Sequence, residues 1–216
     1  MSFIQSQVTG GGIVMAVDRY GVHTVHHVTG NTSVSRKISD GHIYQKLYIT
    51  KNNIGISCCG VVLNNFERIM SDFLYEMDEN LTPYQVATDL LNYLKWINPT
   101  KLDTIFHVCG YDMTNPKLPN PCLYLLLAIC NHLEKINCDD PYKGAIINTP
   151  DPVIKNILDH VAAYYQDYTL RDAVEFAKFI HRTTKDLMMF QGSNEAMSRE
   201  MDIAIIKPDG CKLMEA

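Results

Sequence analysis

Ser2 directly follows Met1, and a methionine is normally trimmed when a small residue stands next to it, which would leave a free α-amine beside a hydroxyl on one residue. An α-amine has a pKa of about 7.7–8.0, so about a tenth or more of it is neutral at pH 7. That amine can accept the proton of the adjacent hydroxyl, so one residue supplies both nucleophile and base, and the chemistry is acyl transfer. Two further groups are needed: a cation that favours the deprotonated hydroxyl, and an anion that balances the cation. Asp18, closing the apolar run Val14-Met15-Ala16-Val17, and Lys46, in the alternating run Tyr44-Gln45-Lys46-Leu47-Tyr48-Ile49, are the candidates. Taken one at a time, a charged residue at a strand end is more often simply solvated.

Other signatures of chemistry are missing: the chain has no GxGxxG, no Walker loop, no HExxH and no GxSxG. Gly10-Gly11-Gly12 precedes a strand rather than a helix, which points to a hairpin turn and not a phosphate cradle. His23, His26 and His27 cluster, but His26 and His27 point to opposite faces of one strand, and no cysteine or carboxylate stands beside them. Neither a metal nor a cofactor is expected.

Composition narrows the function classes further. The formal charge is −5 and there is no basic stripe, so nucleic acid is not an expected partner. Seven cysteines, two of them adjacent at Cys58-Cys59 and none in a CxxC pair, suit neither a disulfide framework nor a zinc site. They read as buried thiols in a reducing cytoplasm. No apolar run approaches the roughly 20 residues that span a bilayer, so no membrane association is expected. The first residues also lack the basic start and apolar stretch of a secretory signal. With 216 residues, 46% of them hydrophobic, the chain can bury a sizeable core as one domain over 1–216.

The elements that must position these residues follow from periodicity. Phe3–Thr9 and Ile13–Val17 predict a hairpin about the triple glycine, and Gly21–Val28 is β-rich, while the polar stretch Asn31–Asp40 reads as a loop. His42–Thr50 alternates and turns at Lys51-Asn52-Asn53 into Ile54–Cys59. A helical stripe runs through Leu63, Phe66, Ile69, Met70, Phe73, Leu74 and Met77, and Thr82-Pro83 opens a second helix. Strands return at Thr104–Cys109, Cys122–Ile129 and Gly144–Asn148. Helices then start near Pro152 and after a Thr169 cap, and Asp202–Ile206 with Cys211–Met214 close the chain as a hairpin. Strand pairs, two helices, strands, two helices and a strand pair argue against a doubly wound sheet. They fit an α+β arrangement of two antiparallel sheets, each covered by a helical pair.

Several of these stretches resemble the proteasome β-type subunits of the N-terminal-nucleophile (Ntn) hydrolases. Gly12-Ile13-Val14-Met15-Ala16-Val17-Asp18-Arg19 resembles that family's second strand. Lys46-Leu47 and Ile54-Gly55-Ile56-Ser57-Cys58-Cys59-Gly60 resemble its lysine strand and the strand after it. Phe106–Asp112 followed by Pro121-Cys122-Leu123-Tyr124 is similar to its AGYD … P-x-LY hairpin, and Ala173–Ala177 through Lys185-Asp186 to Ile203–Gly210 is similar to its last helix and closing hairpin. In that family the nucleophile precedes the motif aspartate by sixteen positions, which falls on Ser2.

The resemblance implies a four-layer αββα sandwich and an amide-bond hydrolase, peptidase-like, acting on a peptide or small amide through an acyl-enzyme. Ser2 would be nucleophile and base, Asp18 and Lys46 would orient and tune it, Asp186 would position the α-amine, and a backbone N–H near Gly60 would receive the oxyanion. It also implies self-association into a ring or another homo-oligomer, and it leaves a second reading, a non-catalytic structural subunit of such a ring. The chain differs from the pattern in three places. Serine stands where proteolytic members use threonine, the stretch between Asp18 and Lys46 is about a dozen residues longer, and Leu187-Met188-Met189 replaces the Ser-Gly-Gly expected after Asp186.

Overall fold

The computed structural model describes residues 3–29, 32–60, 66–97, 104–139, 144–148, 153–156, 167–190 and 197–215, and over 21–42 it describes the backbone only. Ile4–Thr9 (β1) and Gly12–Asp18 (β2) form the expected hairpin. Every residue of both strands is buried, which is why β2 is a continuous apolar run rather than an alternating one. Tyr20–Thr29 (β3) and Thr32–Ile43 (β4) follow, then Leu47–Ile49 (β5) and Gly55–Gly60 (β6). Two helices come next, Phe66–Glu76 (α1) and Pro83–Ile97 (α2). Thr104–Asp112 (β7), Asn120–Leu127 (β8), His132–Ile136 (β9) and Ala145–Asn148 (β10) lead to the long helix Leu170–Phe190 (α3) and the closing hairpin Met201–Lys207 (β11) and Gly210–Glu215 (β12).

Two five-stranded antiparallel sheets result, ordered β10-β1-β2-β11-β12 and β5-β6-β7-β8-β9. They stack face to face between helical layers, the four-layer αββα sandwich of the α+β class. Ile4, Ile13, Met15 and Val17 from the first sheet meet Leu47, Cys59, Cys109 and Leu123 from the second. On the outer faces Phe3, Val14, Ala16 and Ile203 pack under α3, and Ile56, Phe106 and Val108 pack under α1 and α2. The sheets approach closely at Gly55, where a Cβ would overlap Met15 Sδ and Ile206 Cδ1.

Helix starts are set by reciprocal side-chain caps. Thr82 Oγ1 accepts from Gln85 N while Gln85 Oε1 accepts from Thr82 N, with Pro83 at the first helical position. Thr169 and Asp172 repeat the device ahead of α3.

The structure corrects the reading of Asn31–Asp40 as a loop. Thr32–Ile43 is a 12-residue strand that pairs antiparallel with β3 into a ribbon of its own. The extended run at His42–Thr50 is interrupted at Tyr44–Lys46, and β9 was not anticipated. Of the helix expected from Pro152, residues 153–156 are helical and the rest lies outside the described residues.

Candidate active site

Asp18 closes β2, and its side chain is 0% exposed. Its Oδ1 accepts the Phe3 backbone N–H at 2.8 Å, the amide that joins Ser2 to the rest of the chain. Lys46 Nζ lies 3.4 Å from Oδ1 and 3.3 Å from Oδ2, and Lys46 is itself 1% exposed. The ammonium also donates to the Tyr20 carbonyl, and Asp18 Oδ2 accepts from Tyr20 N at 3.3 Å. A charge removed from water needs both an opposite charge and hydrogen bonds, and this pair has them. The sequence interposes the ribbon between its members, and the ribbon's root is part of the site: Tyr44 N donates to Arg19 O at 2.8 Å.

Lys46 O accepts from Cys58 N at 3.0 Å, which ties the lysine to β6. Burial pushes the Cys58 thiol far up, and the nearby Lys46 charge only partly offsets this. Cys58 is therefore a neutral thiol beside the pair and not a nucleophile. Gly60 ends β6 two residues beyond Cys58, about 7 Å along the strand. Its φ of 120° is a backbone conformation that favours glycine.

Ser2 lies outside the described residues. Asp186 is exposed on α3, so the helix does not bring it into the cluster around Asp18. The turn of α3 nearest the pair instead presents His181 and Lys185. Asp18 acts electrostatically on both, and Lys185 Nζ donates to Met197 O at 3.2 Å. After α3, buried Ser198 accepts Arg19 N–H at 3.0 Å, supplying a serine hydroxyl one residue from Asp18. Sequence reasoning missed His181 and Ser198. The signal for His181 was a histidine inside the apolar stripe Ala177, Ile180, Thr184 and Met188. Ser198 carries no such signal.

An open cavity of about 400 Å³ is lined by Gln45, Leu47, Asp202, Leu213 and Met214, without Asp18 or Lys46 in its wall. Arg19 binds Asp202 at its wall, with Arg19 Nε 2.9 Å from Oδ1. Among the described residues no group of three or more His, Cys, Asp or Glu side chains could hold a metal ion.

A second polar cluster lies between the sheets. Ser6 Oγ is 3.0 Å from His107 Nδ1, and Asn148 Nδ2 is 3.3 Å from His107 Nε2. With the amide donating to Nε2, the ring proton sits on Nδ1 and donates to Ser6. Burial holds His107 down to about 3, so it is neutral. The serine and the imidazole are both 0% exposed, so no substrate reaches them and the cluster is structural.

No family model matches the chain, and no curated protein sequence matches it. Among solved structures it is similar to Anbu from Hyphomicrobium sp. strain MC1. One Anbu chain, a mutant, is 15% identical with a TM-score of 0.63, covering 100% of this chain and 87% of that one. A second Anbu structure is also 15% identical with a TM-score of 0.63, covering 99% and 86%. At this identity the likeness is one of fold alone, the layered sandwich of two antiparallel sheets described above. No described helix is long and apolar enough to cross a membrane.

Proposed function

We propose that the chain, as one Ntn-type domain over 1–216, is an amide-bond hydrolase whose nucleophile is Ser2, freed by cleavage between Met1 and Ser2. The observation that carries this reading is the Phe3 N–H on Asp18 Oδ1, because it fixes the amide next to residue 2 against a carboxylate already paired with Lys46. Ser2 Oγ attacks the substrate carbonyl while the Ser2 α-amine takes the hydroxyl proton. The amine then passes that proton to the leaving nitrogen as the C–N bond breaks. Water, deprotonated by the same amine, cleaves the acyl-enzyme ester. Lys46 stabilises the alkoxide form of Ser2, and a backbone N–H near Gly60 receives the oxyanion.

The substrate is a peptide or small amide. The cavity lined by Gln45, Leu47, Leu213 and Met214, with the Arg19–Asp202 pair at its wall, is the candidate for the group next to the scissile bond. The protein works in a cytoplasm-like reducing compartment, in keeping with its seven free cysteines. It self-associates into a ring or another homo-oligomer, and light scattering that returns a 24.5 kDa monomer at micromolar concentration would remove that statement.

The test is intact mass combined with a β-lactone or fluorophosphonate probe. Loss of the first methionine with stoichiometric labelling at Ser2, abolished in Ser2→Ala, is the expected result. The exposure of Asp186 favours a second reading, a non-catalytic subunit of the assembly. A retained Met1 with no labelling would establish that reading instead.

A further inference from the structure

The inward face of α3 is accounted for by the core, with Ala173, Ala177, Ile180, Thr184 and Met188 buried over the first sheet. Its outward face is not that of a simply solvated helix. Phe179 is 52% exposed, Met189 48% and Phe190 82%, and the exposed side chains of Arg182 and Asp186 stand between them. Phe179, Arg182, Asp186 and Met189 follow one another at intervals of three, four and three residues. That interval lays side chains in one stripe along a helix and lets a second helix seat on it lengthwise. No step of the chemistry above uses the stripe.

We infer that this stripe is a docking face for a second copy of the chain, α3 against α3, antiparallel about a two-fold axis beside Thr184. The order of its residues argues for that occupant. Read from either end it runs apolar, charged, charged, apolar, and the two charges are opposite in sign. Turned end for end about Thr184, Phe179 meets the partner's Met189 and Arg182 meets the partner's Asp186, and symmetry makes each contact twice. Phe190, next to Met189, widens the outer contact. In a parallel pairing Arg182 would face the partner's Arg182, and the two Asp186 carboxylates would face each other. Charge therefore selects the antiparallel register, as a polar position does in a helical seam. The inference narrows the self-association proposed above to one face; it rests on that statement and not on the Ser2 chemistry.

The experiment is sedimentation velocity on the full-length protein across a concentration series, in wild type, Arg182→Asp, Asp186→Arg and the double exchange. Each single variant sets like charges against each other twice, so its association constant should fall by roughly tenfold or more. The double exchange puts an acid at 182 against a base at 186, and should return association to within about threefold of wild type. All four positions of the stripe are on the surface, so circular dichroism and melting temperature should stay near those of wild type. Should either single variant fail to fold, Phe179→Gln with Met189→Gln takes its place, with the same weakening expected. Wild-type association in the single variants, or in the Gln pair, overturns this face and leaves self-association standing. A double exchange as weak as the singles overturns the Arg182–Asp186 pairing, and with it the register. A wild type that is monomeric at every concentration overturns self-association and this face together.

Discussion

Asp18 and Lys46 are buried as ions, whereas His107, equally buried in the same sandwich, is neutral. The ion pair is held by backbone groups of Phe3 and Tyr20 as well as by its own Coulomb attraction. Among the described residues the histidine has a serine hydroxyl and an asparagine amide. A structural polar cluster in a core can simply give up its proton, which is the less costly route. Keeping two full charges dry costs more and does not raise stability above that of an apolar pair. The difference is what the proposed function would require of the Asp18–Lys46 end of the sandwich, where a buried ion pair is kept.

The contrast is broken most strongly at the pair itself. Asp18→Ala leaves a buried ammonium and an unpaired Phe3 N–H, and should cost about 3–5 kcal/mol in urea unfolding. The double variant Asp18→Leu with Lys46→Met should recover most of that stability and none of the labelling. Recovery of both would mean that the charges serve no chemistry.

A smaller effect is expected from acid. The folded pKa of His107 is held down to about 3 against an unfolded value near 6.5, so the unfolded chain binds more protons between those values. The stability from keeping the ring neutral is fully present above about pH 6.5 and falls as pH drops towards 3, by roughly 1.4 kcal/mol per pH unit once below 6.5. His181 is shifted in the same direction and adds to the slope. Stability measured by denaturant titration at a series of pH values should therefore flatten in His107→Leu, and an unchanged slope would show that the ring is not the titrating group.

Ser6→Ala sharpens the comparison from within the neutral cluster. It leaves the His107 Nδ1 proton without an acceptor, for a loss of about 1–2 kcal/mol, with labelling unaffected. Least affected should be Lys51→Ala, because its pair with Glu79 is exposed on both sides and such pairs contribute about 0–1 kcal/mol. A change in midpoint larger than that of Ser6→Ala would contradict the ranking.

Much of the architecture was legible because periodicity reports burial. The triple-glycine hairpin, the capped helices at Thr82 and Thr169 and the closing hairpin all carry local signals. Residues 32–40 were read as loop because they are polar and carry no continuous apolar face, whereas the strand they belong to pairs only with β3, in a two-stranded ribbon of its own. At the site, the types and spacing of Asp18 and Lys46 were visible, but their meeting depends on a tertiary closure that no local pattern encodes. His107 faces Ser6 only because the two sheets stack, and that juxtaposition is likewise invisible along the chain. Asp186 is exposed on α3, which continues as helix through Leu187-Met188-Met189, the residues that stand where the family pattern has Ser-Gly-Gly.

The ribbon has a consequence for how this molecule can vary. It departs just after Asp18 and returns just before Lys46, so the two charges stand 28 residues apart in the chain yet close on each other in space. The entropy of closing such a loop grows only logarithmically, at about 0.6 kcal/mol for each doubling of length. Insertions or deletions at the far tip therefore leave the root almost untouched thermodynamically. Changes of length at the tip should leave the Asp18–Lys46 contact in place.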